Sequence, residues 1–391
     1  MGKRVFLIVL DSFGIGAAPD AKKYNDEGAN TLKAVSKSKY FNAPNLKKLG
    51  LFNIEGVDFG KKSVAPIGCF ARMQELSAAK DTTHGHWEIA GIISEKPMPT
   101  YPLGFSEEVI NKLQLATGRK VVCNKPYSGT QVILDYGEEH IKSGNIIVYT
   151  SADSVMQIAA HESVISLPEL YKICQKARDI MQGDDGVGRI IARPFVGRFP
   201  DFVRTQNRRD FSLSPPKDTI LDVLDKQGYD TIAVGKISDI FCGRGIDESV
   251  HTSNNYDGMQ QIIKYQDKRF EGLCFVNLMD FDSLYGHRNN VDGYATAVSE
   301  FDVQLSKFLD NMQKQDILII TADHGCDPSN SGTDHTREYV PMLMVGESVK
   351  SNLDLKTRKG FCDIGSSICE IFGLENTLEG KSFWSKIKKD D

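Results

Sequence analysis

Val5-Phe6-Leu7-Ile8-Val9-Leu10-Asp11 sets six apolar residues in a row and closes them with a carboxylate. A strand with one wet face would alternate apolar and polar residues. An unbroken run of Val, Ile, Leu and Phe fits a strand covered on both faces, as in a parallel sheet. Four more runs share this character: Ile146 to Tyr149, Thr231 to Val234, Leu273 to Leu278, and Ile317 to Ile320. Apolar residues recur at helical spacing over Ser106 to Thr117, Leu167 to Met181, Thr219 to Gln227 and Val298 to Gln313. Strands alternating with helices predict an α/β fold with a mostly parallel sheet between helices.

Open α/β sheets place their sites beyond the carboxyl ends of the strands. Here Leu10 gives way to Asp11, Leu278 is followed by Asp280 and Asp282, Ile320 by Asp323 and His324, and Val234 by Lys236. If the strands are parallel neighbours, the aspartates converge on one edge. Carboxylates held about 5 Å apart repel by roughly 3 kcal/mol per pair at an effective dielectric near 20, and bound cations relieve that repulsion. A lone aspartate after a strand is more often a turn former or a helix cap. The set joined by histidines is harder to dismiss.

Two clusters stand out. Asp323-His324-Gly325 can turn both side chains toward one ion with Asp11, because glycine permits the sharp turn. Asp282 and His287 flank Gly286 at a spacing suited to a loop wrapping an ion, and His335 in Gly332-Thr333-Asp334-His335-Thr336-Arg337 would complete that site. Mixed carboxylate and imidazole ligands fit manganese, zinc or iron better than calcium, with manganese favoured where oxygens are numerous. Isolated histidines such as His140 and His251 read as surface or hydrogen-bonded residues.

A third element is Lys80-Asp81-Thr82-Thr83-His84-Gly85-His86-Trp87-Glu88. A threonine hydroxyl is a poor nucleophile at neutral pH, but metal coordination lowers its pKa and aims it, which makes Thr82 the candidate. The structural alternative is an N-cap, with Thr82 or Thr83 capping a helix that buries Trp87 and Ile89. The two readings agree, since a helix N-terminus also stabilises a phosphoryl group.

At 391 residues the chain exceeds the usual size of one core, so two domains are expected. A net charge of -5 argues against a nucleic-acid footprint. The local basic cluster Arg193, Arg198, Arg204, Arg208 and Arg209 needs another explanation. Eight cysteines without CxxC pairs read as reduced thiols of a cytosolic protein. The apolar run after Met1-Gly2-Lys3-Arg4 is too short for a secretory signal, and no run of 18 apolar residues suggests a membrane span. The charged tail from Lys386 reads as solvated.

The quoted segments resemble the phosphopentomutases, a family of the alkaline phosphatase superfamily that also includes cofactor-independent phosphoglycerate mutases. The likeness runs nearly end to end. It includes Val9-Leu10-Asp11-Ser12-Phe13-Gly14-Ile15-Gly16, Lys80 to Glu88, Tyr149-Thr150-Ser151-Ala152-Asp153-Ser154, Arg193-Pro194-Phe195-Val196-Gly197, Gly235-Lys236-Ile237-Ser238-Asp239, both metal motifs, and Thr336-Arg337-Glu338-Tyr339. The resemblance implies an alkaline-phosphatase-like core formed by residues 1–98 and 214–391, with an inserted, smaller α/β cap domain over residues 99–213 that keeps water from the phosphorylated enzyme.

It further implies that Asp11, Thr82, Asp323 and His324 hold one manganese ion and Asp282, His287 and His335 the other. Thr82 is implied to carry the phosphoryl group. Ser151, Asp153, Arg193, Arg204, Arg208 and Lys236 are implied to bind a pentose phosphate. The activity so implied is interconversion of ribose 5-phosphate and ribose 1-phosphate, or their 2-deoxy counterparts, by a cytoplasmic isomerase through a bisphosphate. A sugar bisphosphate is a candidate activator, and a monomer is compatible with the chain. Two residues depart from the family pattern: His84, where threonine or serine is usual, and Cys326, where asparagine is usual. The closest rival is a two-metal phosphatase or phosphodiesterase of the same superfamily. A metal-binding module without catalysis would require a missing ligand, and none is missing.

Overall fold

The Arg4–Leu10 strand runs through an eight-stranded sheet, and all seven of its residues are buried. In the computed structural model, which describes residues 2–389, it pairs in parallel with Gly272–Leu278 on one side and Asp316–Thr321 on the other. Leu10 stands opposite Leu278, and Val9 opposite Thr321. That register brings the three strands to a common edge, from which the chain passes into Asp11, Asp282 and Asp323. Asp230–Val234 extends the sheet in parallel beyond Gly272–Leu278, followed by Glu248–Val250 at the rim.

The other half of the sheet is not parallel throughout. Val340–Gly346 runs antiparallel to both Asp316–Thr321 and Cys69–Gln74, and Leu353–Lys359 lies parallel to Cys69–Gln74 with an irregularity between Asp354 and Thr357. Cys69–Gln74 and Leu353–Lys359 carry Arg72, Gln74, Asp354, Lys356, Arg358 and Lys359, so they present no unbroken apolar run. Their partial exposure is what permits this composition.

The last long helix spans Val291–Asp310, seven residues earlier than the spacing from Val298 suggests. Asn290 caps it by accepting from the Gly293 N–H. The first turns bury Tyr294, Ala295 and Ala297, and the polar pair Asp292-Gly293 conceals them in the sequence.

The chain divides into two compact units, Met1–Lys96 with Pro215–Asp391, and Pro97–Ser214. The second has its own six-stranded mixed sheet, in which Ile146–Thr150 lies between Val121–Pro126 (parallel) and Val155–His161 (antiparallel), and Arg189–Val196 follows. The run Ile146 to Tyr149 therefore belongs here and not beside Arg4–Leu10. Ile146 and Val148 join one apolar cluster and Ile147 and Tyr149 another, as period-two alternation requires of a strand covered on both faces.

Buried polar groups tie the loops of the first unit together. Arg337, 2% exposed, reaches Glu75 Oε2 at 2.5 Å, the Ala79 carbonyl at 2.6 Å and the Glu75 carbonyl at 2.9 Å. It thereby joins the segment before Thr82 to the loop that carries His335. Glu88, fully buried, accepts from the N–H groups of Leu76, Ser77 and Phe361. This anchors the far end of the Thr82 helix.

Candidate metal centre

The helix Thr82–Ile89 starts at the candidate nucleophile, but neither threonine caps it. Asp81 does, accepting from the N–H groups of Thr83 and His84. A carboxylate cap is better placed than a hydroxyl because it also complements the helix dipole. Thr82 is thus the first helical residue, with its hydroxyl free of capping duty. Thr82 Oγ1 lies 3.2 Å from His324 Nε2. The helix can come this close because residue 85 is glycine: a Cβ there would stand 2.2 Å from the Asp323 carbonyl oxygen.

His324 turns Nδ1 toward the Gly325 carbonyl at 3.1 Å, which leaves Nε2 facing Thr82, Asp323 Oδ2 at 3.3 Å and Asp11 Oδ1 at 3.5 Å. Asp323 Oδ1 accepts from the Ser12 and His324 N–H groups. Ser12 reaches it from a left-handed backbone conformation, φ 72°, which is uncommon outside glycine and concentrates at functional sites. A few ångströms on, Asp282 Oδ2 lies 3.2 Å from His287 Nε2 and Oδ1 lies 3.3 Å from His335 Nε2, while the two imidazole Nε2 atoms are 3.0 Å apart. His287 Nδ1 points to the Thr333 carbonyl at 2.6 Å. In both clusters a backbone carbonyl takes the Nδ1 proton and leaves Nε2 to face carboxylates, the orientation usual for metal-ligating histidine.

Whether a divalent cation fits these residues can be judged from the oxygens. Asp11 Oδ1, Asp282 Oδ1 and Asp323 Oδ2 are buried without a hydrogen-bond partner. For Asp323 Oδ2, His86 Nδ1 lies 3.1 Å away, but its proton is directed to the Thr82 carbonyl at 2.8 Å. Burial, then the neighbouring Asp323 and Asp282 carboxylates, push the Asp11 carboxyl up to about 7. Burial opposes charge on Asp282 as well, yet the His287 and His335 imidazoles beside it hold its carboxyl well below the usual range. The His287 imidazole is pushed up to about 9 by its hydrogen bond to Asp282. Burial would lower His324, but Asp323 outweighs it and raises the imidazole well above its ordinary value. The metal-free cluster draws positive charge onto its histidines, and a cation answers the same demand. Asp11, Asp323 and His324 form one group of closely spaced donors, and Asp282, His324 and His335 another.

All seven expected metal-site residues, Asp11, Thr82, Asp282, His287, Asp323, His324 and His335, therefore gather in the first unit. Asp280 does not join them: it accepts from the Asn255 N–H at 2.7 Å and serves the start of a helix. Lys236 follows Asp230–Val234 at the N-terminus of a short helix. In the second unit, Ser151 and Asp153 occupy the turn after Ile146–Thr150, with Ser151 Oγ accepting from the Asp153 N–H. Arg193 donates to Gln157 Oε1, and Arg208 pairs with Asp210 through two hydrogen bonds of 2.7 and 2.6 Å. Arg193, Arg204 and Arg208 all act on the Tyr149 hydroxyl, which is buried and has no hydrogen-bond partner.

His86 and Asn277 escaped the sequence reading. His86 gives its Nδ1 proton to the Thr82 carbonyl, so Nε2 accepts from Asn277 Nδ2 at 3.2 Å, and Asn277 Nδ2 also reaches Asp11 Oδ2 at 2.9 Å. The pair links the Thr82 helix to Asp11. One signal pointed there: Asn277 is the only polar residue in the apolar run Leu273 to Leu278. The two departures at 84 and 326 also separate. His84 Nδ1 is taken by Asp81 Oδ2 at 2.5 Å, and His84 belongs to none of the metal-type groups among the described residues, whereas Cys326 groups with Asp282 and His287.

Because Gly85 allows the close approach, Gly85→Ala is expected to push Thr82 off its position and lower turnover on the order of 10²-fold at saturating metal. Steady-state kinetics check this. A rate within about threefold of wild type would show that the contact does not set the position of Thr82.

The sheet and its acidic edge define a class, and a family model for the Metalloenzyme superfamily matches residues 3–376. The solved PH0037 protein from Pyrococcus horikoshii superposes with a TM-score of 0.52 at 14% identity, covering 97% of this chain and 99% of its own, a likeness of fold. The chain belongs to the Metalloenzyme superfamily. The phosphopentomutase of Lachnoclostridium phytofermentans is 59% identical over 388 residues, 99% of this chain and all of the relative, and that of Clostridium novyi is 53% identical over 390. The chain belongs to the phosphopentomutase family and is an enzyme of the isomerase class.

Proposed function

We propose that this chain interconverts ribose 5-phosphate and ribose 1-phosphate, and the 2-deoxyribose phosphates, by way of phosphorylated Thr82. The observation that carries this reading is the position of Thr82: first residue of its helix, 3.2 Å from His324 Nε2, beside buried carboxylate oxygens that lack partners. The membership in the phosphopentomutase family supports the choice of reaction.

Two divalent ions, manganese by the oxygen-rich donor set, held by Asp11, Thr82, Asp323 and His324 and by Asp282, His287 and His335, would activate the Thr82 hydroxyl and offset charge on the transferred phosphoryl group. Thr82 Oγ1 carries the phosphoryl group at the start of the cycle. The sugar O1 attacks phosphorus, the P–Oγ1 bond breaks, and the O1 proton leaves to solvent or a neighbouring base. In the resulting 1,5-bisphosphate the 5-phosphoryl group is then turned to Thr82. The Oγ1–P bond re-forms, the P–O5 bond breaks, and O5 takes up a proton. The net result is ribose 1-phosphate and the starting phosphoenzyme. A sugar bisphosphate would prime unphosphorylated enzyme by the same second half-reaction.

The free N–H groups and dipole of the Thr82 helix favour the charge on phosphothreonine. We assign the Pro97–Ser214 unit to sugar recognition and water exclusion, with Ser151 and Asp153 on the sugar hydroxyls. Arg193, Arg204 and Arg208 are assigned to the distal phosphate, since guanidinium forks fix orientation as well as charge. Lys236 would add a cation on the metal-binding unit. No helix among the described residues is long and apolar enough to cross a membrane; a cytoplasmic location is part of the proposal.

Incubating manganese-loaded protein with ribose 5-phosphate tests the reading. Ribose 1-phosphate should accumulate while inorganic phosphate stays at background. Stoichiometric release of phosphate would identify a phosphatase instead.

A further inference from the structure

Cys326 is 1% exposed, and its Sγ, one Asp282 oxygen and one His287 ring nitrogen all lie within 4.8 Å of one another. We propose that Cys326 is a metal ligand at the Asp282–His287 position whenever a thiophilic divalent cation such as zinc or cobalt occupies it, and that this thiol governs which metal the centre retains. The proposal rests on the reading that Asp282 and His287 hold an ion.

Core filling is the bland account of a buried cysteine, and it suits Cys69, Cys174, Cys274, Cys362 and Cys369, which stand in no such group among the described residues. Three observations set Cys326 apart. Its backbone is pinned, with the N–H donating to the Ser12 carbonyl at 3.1 Å and to Thr31 Oγ1 at 3.2 Å. Its Sγ presses on the residue before His287, for a Cβ on Gly286 would stand 2.8 Å from it. Asp282, more than nine-tenths buried, brings a carboxylate oxygen within reach of that thiol together with a His287 ring nitrogen. The thiol itself makes only a long contact, 3.6 Å, to the Asp334 carbonyl.

A thiol is ordinarily protonated at neutral pH and becomes a ligand only as the thiolate. Binding forms a metal–Sγ bond and sends the thiol proton to solvent. Thiolate strongly favours zinc and cobalt over manganese, which prefers oxygen and nitrogen. With Asp282 and His287 the thiolate makes a group of three donors. The chain would therefore retain zinc or cobalt over manganese at that position.

Metal-free protein is titrated with cobalt and followed in the near ultraviolet, alongside Cys326→Ser and Cys326→Ala. The expected result is a thiolate-to-cobalt charge-transfer band in wild type that both variants lack. A competition titration should show the zinc-over-manganese preference falling at least about tenfold in both. Zinc uptake should also release one proton fewer per chain in the variants. Cobalt bound by wild type without the band, or a band and metal preference unchanged in the variants, would overturn the proposal. If metal analysis finds no cobalt retained by wild type, the Asp282–His287 reading itself fails, and the ligand role falls with it. The two substitutions differ in polarity, so misfolding of one leaves the other informative.

Discussion

Thr82→Ala is expected to abolish isomerisation, with turnover down by at least about 10⁴-fold, while metal content per chain stays near wild type. Single removal of a covalent nucleophile commonly costs that much or more, because the remaining machinery has nothing to work through. Metal content should survive because Asp11, Asp323 and His324 keep their close grouping without the hydroxyl. The helix should survive too, since Asp81 and not Thr82 supplies the cap. Mass spectrometry after incubation with a sugar bisphosphate should show one added phosphoryl group on wild type and none on the variant. Thr82→Ser keeps an attacking oxygen and should retain partial activity. A Thr82→Ala enzyme that still equilibrates the two ribose phosphates near the wild-type rate would end the covalent scheme.

Asp11→Asn should split stability from function. In the metal-free chain the variant is expected to be more stable than wild type at pH 8 by about 2–4 kcal/mol, yet to bind metal poorly and turn over at least about 10²-fold more slowly. The reasons are local. Asp11 Oδ2 already accepts from Asn277 Nδ2 at 2.9 Å, a bond an amide oxygen can keep. The orphaned Oδ1 is no longer part of a buried charge, and the repulsion from Asp323 and Asp282 disappears.

The sign of the pH dependence follows from the same carboxyl. Its folded value is raised from 3.8 to about 7, so between those values the folded chain holds a proton that the unfolded chain has lost. Stability of the metal-free wild type should fall as pH rises through that window relative to Asp11→Asn. Denaturant melts of chelator-treated proteins at several pH values would show it. Equal stability of the two proteins across the range would mean that the cluster is not under charge strain.

The parallel half of the core was legible because burial on both faces demands unbroken apolar runs, and Val5 to Leu10, Thr231 to Val234, Leu273 to Leu278 and Ile317 to Ile320 all answer that demand. The two strands beyond the antiparallel Val340–Gly346 were not. Cys69–Gln74 and Leu353–Lys359 are only partly covered, and their charged residues erase the signal. The candidate ligands could be named from residue type and spacing, because few arrangements other than a metal site collect Asp and His at successive strand ends. The cap of the Thr82 helix was not legible: Thr82 or Thr83 suits the role by residue type, and only backbone geometry gives it to Asp81.

From its residues alone, the chain determines that several strands are buried on both faces and that carboxylates and imidazoles follow them, since solvation and side-chain chemistry are properties of each segment. Only the tertiary structure decided that Arg4–Leu10 lies between Gly272–Leu278 and Asp316–Thr321 in a register that gathers Asp11, Asp282 and Asp323. It also decided that Asn277 and His86 join these parts, and that Cys326 rather than His84 faces them. Convergence of segments hundreds of residues apart depends on strand order and register, which arise from packing the whole sheet and are written in no single stretch.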